Sequence, residues 1–389
     1  MPSSSVSVTH GGSSLKLTGV PLSPANELLA ASYQLYRHVM TNETIVRTLS
    51  YPLPAALDGH VQVVAPTTSF GSPGKQWQKP RKRFGGAAVM LAEEPLGEPV
   101  TVLSSREDND GARQSFLRWI YSTWGYSPVA MDRNTLGSAG FLGCYPSKTD
   151  LKIFMSNYRT DGAAATFTVE GVNHNEDDPS NPNAGENLDL QYTQSMAYPT
   201  KHIFYNTSLG PSLDCYLSWL EYVIPQEVVP QTINISYGNN EILYTRHYAE
   251  FVCYQLGVLA LRGVSTLVAS GDSGVSRGDC DDGSGNVRFL PTFPATCTCD
   301  LLLCSQQYTN LGTGCSPHCL ASAGPWVTAF GGTTRIMPEI AASISAGGFS
   351  DYFVRPSYQQ EAVSSFLQVE TLENLYEGLY KCVCFRDLI

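Results

Sequence analysis

Two carboxylates three positions apart are the first candidates for chemistry in this sequence. Glu186 and Asp189 lie in the segment GENLDLQY, which predicts the start of a helix. Side chains three apart share one helix face, so the pair could pass a proton between them with coupled titration. Such a pair is a base suited to acidic pH, where histidine is protonated. Acidic residues that favour the helix dipole are the alternative, and the segment alone favours that alternative.

A third carboxylate follows a predicted strand. The apolar run VSTLVAS predicts a buried strand, and SGDSG at 270–274 begins at its end, where sites in open α/β sheets lie. Asp272 either donates a hydrogen bond to an oxyanion as a protonated acid or bonds its own backbone in a turn. Ser273 as a chymotrypsin-type nucleophile is excluded, because the surrounding pattern is not an all-β barrel and no histidine lies in a supporting context.

The elements that must position these residues follow two patterns. From residue 115 onward, predicted strands alternate with predicted helices, and several strands are continuous apolar runs, which is typical of a doubly wound parallel sheet. Residues 5–66 predict a small α+β unit with a hairpin, a helix over PANELLAASYQLYRHV and a strand in TIVRTLSYPL. Residues 67–113 predict a linker, and their basic run at 79–83 is either a processing site or a solvated charge run.

Composition excludes several classes of protein. The 389 residues are 42% hydrophobic and 15% charged, which excludes a disordered chain and allows two or three domains. No apolar run approaches the ~20 residues of a membrane span. The net charge of −11 argues against a nucleic-acid partner. The glycosylation sequons at Asn42, Asn206 and Asn234 favour an exported protein, although residues 1–15 do not form a signal peptide.

Together these segments resemble the sedolisin family, the serine-carboxyl peptidases, and most closely its fungal tripeptidyl-peptidase-like branch. The matching stretches are ENLDLQY, TINISYG, GVSTLVASGDSGV, VRFLPTFPATC, PWVTAFGGTT and SAGGFSDYFVRPSYQ. The resemblance implies a subtilisin-like α/β peptidase domain at 114–389, after a partial α+β propeptide domain at 1–66 and a linker at 67–113. It implies a secreted monomer that hydrolyses peptides or proteins at acidic pH.

The resemblance also assigns roles to the three carboxylates. It implies a Glu–Asp–Ser triad in which Asp189 matches the family's Asp, while Asp272 serves the oxyanion. The family's Glu lies four positions before its Asp, whereas Glu186 lies three before Asp189, which rotates the side chain by about 100°. Calcium is the implied cofactor of full-length members, with its site near their C-terminus and beyond this sequence, so no cofactor is expected in this chain.

Some expected features of the family are missing. The family's nucleophile lies in a Gly-Thr-Ser motif well after RPSYQ, and this sequence contains no such motif. We therefore expect a C-terminally truncated domain with an incomplete sheet and no peptidase activity, since no acyl-enzyme can form without the serine.

Two Cys-rich stretches, residues 298–324 and 381–389, have no counterpart in the family. Translated intron sequence followed by a stop would explain both. A zinc or disulfide knot is the alternative for residues 298–324, but its spacing matches no common zinc pattern. Cys280 and Cys297 are expected either to form a disulfide across the SGDSG loop or to be buried thiols.

Two other functions are alternatives to a peptidase. The chain could be a secreted pseudoenzyme that binds peptides or a related peptidase, and a soluble, folded, monomeric product would favour this hypothesis. Loss of the C-terminal part of the domain argues against it, because apolar surface would be exposed. An unrelated α/β hydrolase is the third hypothesis, and it would need its serine in a G-x-S-x-G turn between a strand and a helix.

Overall fold

The structure, a computed structural model, divides the chain into two compact units. The disulfide unit comprises Met1–Gly74, Pro211–Glu227 and Tyr237–Ile389, and the carboxylate unit comprises Lys75–Gly210 and Val228–Ser236. The structure describes residues 5–8, 15–37, 44–57, 60–61, 63–65, 67–68, 134–142, 145–173, 182, 184–208, 214–272, 274, 289–297, 326–334, 340–342 and 345–368.

Strands and helices alternate through the larger part of the described chain. The strands are β1 (Ser5–Val8), β2 (Leu15–Thr18), β3 (Gln34–Arg37), β4 (Thr44–Arg47), β5 (Thr135–Phe141), β6 (Thr168–Val172), β7 (Lys201–Thr207), β8 (Thr232–Ile235), β9 (Asn239–Asn240), β10 (Ser265–Ala269), β11 (Thr292–Phe293), β12 (Thr328–Phe330), β13 (Thr333–Thr334) and β14 (Ile340–Ala341). The α-helices are α1 (Leu22–Leu28), α2 (Lys148–Tyr158), α3 (Ala184–Ala197), α4 (Cys215–Val223), α5 (Arg246–Leu261) and α6 (Gln360–Leu367).

The carboxylate unit contains four parallel strands in the order β8–β5–β7–β6. Gly140 in β5 leaves room for a ring of β7, since a Cβ there would lie 2.1 Å from the Phe204 Cζ atom. A buried apolar cluster packs α2 and α3 together, which fixes the direction of α3. Its members are Leu151, Phe154, Met155, Tyr158, Phe167, Leu190 and Phe204.

The disulfide unit contains the parallel pair β10 and β12 with helices α4 and α5. Asp214 is the N-cap of α4, where its Oδ1 accepts from the Leu217 N–H at 3.0 Å and from the Tyr248 hydroxyl at 2.8 Å. Aromatic rings fill the space around these helices, and Tyr244 stacks on Tyr248 with ring centroids 5.5 Å apart. Helix α5 is one of the helices predicted to alternate with strands after residue 115, and Thr245 is its N-cap.

The N-terminal residues of the disulfide unit form two antiparallel hairpins with one short helix between them. The predicted hairpin is confirmed as β1 and β2. The helix predicted over PANELLAASYQLYRHV is wrong in its second half, because α1 ends at Leu28 and residues Gln34–Arg37 pair with β4 as strand β3. Ala30 has a positive φ of 41°, which a helix cannot accommodate, and the backbone turns there.

The disulfide pairing differs from the predicted one. Cys297 pairs with Cys253 of α5 across 44 positions of sequence, not with Cys280. Both cysteines of the bond are fully buried. Cys280 lies outside the described residues, as do the basic run at 79–83, residues 298–324 and residues 381–389. The predicted domain boundaries stay a prediction.

Two of the three sequons lie in strands of the carboxylate unit. Asn206 is 0% exposed in β7 and Asn234 is 8% exposed in β8, so neither side chain has room for a glycan in the folded chain. The third, Asn42, lies outside the described residues. Asn206 and Asn234 are therefore buried polar residues of the folded sheet and not glycosylation sites.

The predicted α/β class is confirmed. Parallel strands alternate with helices, and central strands such as β5 and β7 are largely buried. This burial is why their sequences are mostly apolar and small residues. None of the helices in the described residues is both long and apolar enough to cross a bilayer.

The disulfide is expected to contribute strongly to stability. Replacing Cys253 and Cys297 together with alanine should lower the free energy of unfolding by about 4 kcal/mol, because the bond closes a long loop in the unfolded chain. Urea unfolding would measure the loss. The wild type in reductant should lose a similar amount and the variant nothing further; equal midpoints for the oxidised wild type and the variant would contradict the pairing.

The N-cap of α4 should make stability depend on pH. Burial raises the pKa of Asp214 to about 6 from 3.8, although the Leu217 N–H, the Tyr248 hydroxyl and the Arg47 charge oppose the rise. The folded chain therefore holds this proton more tightly than the unfolded chain. The resulting stability is fully present below pH ~4 and is lost as the pH rises through ~6, a change of about 3 kcal/mol.

Asp214→Asn should remove this part of the pH dependence, because asparagine keeps an acceptor for the cap but does not ionise. Urea unfolding at pH 4 and pH 7 would show it. Glu227→Gln is the matched control and should leave the pH profile unchanged, since Glu227 is exposed and lies in the same unit as Asp214. A profile of Asp214→Asn as steep as that of the wild type would contradict the assignment.

Candidate active site

The predicted carboxylate pair lies in the first half of α3. Glu186 is in the first turn and Asp189 follows one turn later, and both side chains are half-buried. Leu190, 1% exposed, anchors the helix in the apolar cluster. Burial of Leu190 therefore helps to set the rotation of α3 about its axis.

The start of α3 is tied to the start of α2. The Asn187 side chain accepts from the Ser147 N–H at 2.7 Å and donates to Asp150 Oδ2 at 2.7 Å. Ser147 is itself the N-cap of α2 and accepts from the Asp150 N–H. These bonds hold the helical turn that carries Glu186 and Asp189. They join residues about 40 positions apart, so the local helix pattern could not predict them.

Two donors at the carboxyl end of β8 hold the Asp189 carboxylate. The Ser236 hydroxyl donates to Oδ1 at 2.9 Å, and the Asn234 amide donates to Oδ2 at 3.3 Å. Residues two apart on an extended chain face the same side, which is why both reach one carboxylate. The segment TINISYG was singled out by resemblance alone; the alternation of Asn234 and Ser236 at a strand end was the available signal.

A buried row of polar side chains continues behind Asn234. Its Oδ1 accepts from the Ser138 hydroxyl, and Ser138 Oγ lies 2.8 Å from His202 Nε2. His202 Nδ1 lies 3.2 Å from Gln194 Oε1. Burial lowers the pKa of His202 to about 4. Sequence reasoning missed Ser138, His202 and Gln194, because they are far apart in sequence and no local pattern joins them.

Asp272 belongs to the disulfide unit, where it follows β10 as predicted. Gly271 before it has a φ of +114°, which favours glycine, and its carbonyl accepts from the Ala346 N–H at 3.2 Å. Asp272 itself is exposed. The exposure of Asp272 does not decide between a hydrogen bond to an oxyanion and a hydrogen bond to its own backbone in a turn. The oxyanion role stays a prediction.

Glu241 is a further carboxylate that the sequence analysis did not single out. It is 0% exposed, and it accepts from the Ser350 hydroxyl at 2.6 Å and from the Asp351 N–H at 2.8 Å. Burial raises its pKa. These bonds join the chain after β9 to residues 350–351, so Glu241 acts as a structural anchor.

Calcium is the cofactor that the resemblance implies for full-length members of the family. In the described part of the chain, no group of three or more His, Cys, Asp and Glu side chains is placed to hold a metal ion.

Comparisons with known proteins identify relatives over nearly the whole chain. Residues 3–70 match the family model of the pro-kumamolisin activation domain. Tripeptidyl-peptidase SED2 of Arthroderma otae is 29% identical over 381 residues, which cover 92% of this chain and 57% of the relative. Tripeptidyl-peptidase SED3 of the same organism is 30% identical over 382 residues, which cover 93% of this chain and 57% of the relative. The chain thus spans less than two thirds of the length of these relatives.

A solved structure also matches. Pseudomonas sedolisin, a serine-carboxyl proteinase complexed with two molecules of pseudo-iodotyrostatin, is 20% identical with a TM-score of 0.39, covering 59% of this chain and 61% of that chain. The activation-domain match at the N-terminus and the tripeptidyl-peptidase relatives along the rest agree with the order of motifs in the sequence. These comparisons support a protein of the sedolisin family.

Proposed function

We propose that this chain derives from a secreted serine-carboxyl peptidase that hydrolyses peptide bonds at acidic pH, in the manner of a tripeptidyl-peptidase. The observation that carries the proposal is the Asp189 carboxylate, which accepts from Asn234 and Ser236 at the carboxyl end of β8. Hydrogen bonds to the charged form of a carboxylate favour ionisation, which keeps a base available in acid. The tripeptidyl-peptidase relatives support the substrate class.

The proposed mechanism assigns a separate role to each of the three carboxylates. Glu186 takes the proton of a serine hydroxyl as the serine oxygen attacks the peptide carbonyl, and Asp189 is the second carboxylate of the pair. Asp272 donates a hydrogen bond to the oxyanion that forms on the carbonyl oxygen. The proton then passes to the leaving amine, and water hydrolyses the acyl-enzyme.

This 389-residue sequence contains no Gly-Thr-Ser motif to supply the serine. We therefore propose that this chain does not hydrolyse peptides by itself, and that activity requires a chain that includes the serine. Peptides or proteins are the proposed substrates, and an extracellular monomer is the proposed form. No step of the proposed mechanism uses calcium.

An assay of the chain tests this proposal. The chain should release no product from a fluorogenic tripeptidyl substrate or from an unfolded protein between pH 3 and pH 6, because no nucleophile is present. Asp189→Asn should match it, and Asp161→Asn is a control at an exposed site of the same unit.

Hydrolysis by the chain would contradict its proposed inactivity. If that hydrolysis survived Asp189→Asn unchanged, the assignment of Asp189 would also be wrong. Peptide binding without hydrolysis, measured by calorimetry, would instead favour the pseudoenzyme hypothesis.

A further inference from the structure

The buried polar row behind Asp189 has an unusual proton requirement. It runs from Asp189 through Asn234 and Ser138 to His202, and it ends at Gln194. The last four of these side chains are at most 8% exposed, so water cannot replace a missing hydrogen bond in the row. Each contact must therefore have one donor and one acceptor.

The two ends of the row restrict the hydrogens between them. Gln194 donates its amide to the Thr200 carbonyl at 3.2 Å, so its Oε1 must accept from His202 Nδ1. At the other end, an ionised Asp189 only accepts, so Asn234 donates to it and must accept from the Ser138 hydroxyl. The one Ser138 proton is then used, and Ser138 Oγ must accept from His202 Nε2.

With Asp189 ionised, both ring nitrogens of His202 must therefore carry protons, and His202 is a cation. A neutral His202 satisfies the row in only one other way. Asp189 is then protonated and donates to a reversed Asn234 amide, whose nitrogen donates to Ser138, whose hydroxyl donates to His202 Nε2. Both arrangements hold the same number of protons, because one proton has left His202 and one has joined Asp189.

We propose that Asp189 and His202 share one proton through Asn234 and Ser138, so that the two side chains titrate as a linked pair. This inference deepens the proposed function, because it makes His202 a positioning residue for the proposed catalytic Asp189. Either proton state leaves every member of the row bonded. Asp189 can thus gain or lose a proton without leaving a buried polar group unpaired, which would cost about 1–3 kcal/mol.

Charged groups outside the row do not account for the lowered pKa of His202. Burial is the cause of its lowered pKa, which falls to about 4. Strands β5 and β8 carry no charged residue. The other charged side chains on β6, β7, α2 and α3 are Glu170, Lys201, Lys148, Asp150, Lys152 and Glu186. Asp189 is the charged side chain that the hydrogen-bonded row connects to His202.

Nuclear magnetic resonance of the histidine ring nitrogens tests the linkage without any assay of hydrolysis. The chain has seven histidines, so a His202→Asn variant assigns the signals. Asp189→Asn should lower the proton affinity of His202 about tenfold, since asparagine satisfies the row with His202 neutral. In a Ser138→Ala background the same change should shift His202 little, because the row is broken there.

The controls separate linkage from direct charge effects and from misfolding. Asn234→Ala should behave like Ser138→Ala, whereas Asn239→Ala, at another buried asparagine in the disulfide unit, should leave His202 unchanged. An equal shift by Asp189→Asn with and without Ser138 would show a through-space charge effect and overturn the proposal. No shift by Asp189→Asn in the otherwise wild-type chain would overturn it too. Failure of the hydrolysis proposal would leave this result untouched.

Discussion

The hydrogen bonds that hold the Asp189 carboxylate depend on where strand β8 ends. Asn234 is the last but one residue of that strand and Ser236 follows it, and both donate to the carboxylate. The strand is fixed by its parallel pairing with β5, and α3 is fixed by Leu190 in the apolar cluster. Ordinary packing thus brings an acidic helix face to polar groups at a strand end, the position where open α/β sheets place their sites.

The polar row behind Asn234 reaches deep into the same apolar framework. Ser138 lies in β5, His202 lies in β7 and Gln194 lies in α3, so the row links three elements that otherwise pack through apolar side chains. A buried polar network is tolerated when every member is bonded. The same residues therefore serve both the fold and the site, since a change at Ser138 or Asn234 affects both the packing of the core and the proton on Asp189.

The sequence predicted the framework better than the site. Apolar runs and helical periodicity located α2 to α5 and the six parallel strands β5, β6, β7, β8, β10 and β12, whereas the short strands β9, β11, β13 and β14 were not predicted. The helix predicted through Gln34–Arg37 was wrong because pairing with β4 outweighed the local pattern. The Cys253–Cys297 bond, the Asn234 contact and the His202 row join residues far apart in sequence, and no local pattern records such contacts.

The central claim is that Asp189 belongs to the catalytic carboxylate pair of an acid peptidase. The most direct test is to sequence the natural transcript across the codons for residues 297–325 and beyond 380, express its product, and measure peptide hydrolysis at pH 4 by the wild type and by Asp189→Asn. The account predicts a product with a Gly-Thr-Ser motif, hydrolysis by the wild type, and a loss of roughly 10²- to 10⁴-fold in the variant. A transcript that keeps residues 298–324 and stops after Ile389, with no hydrolysis by its product, would contradict it, as would equal rates for the two proteins.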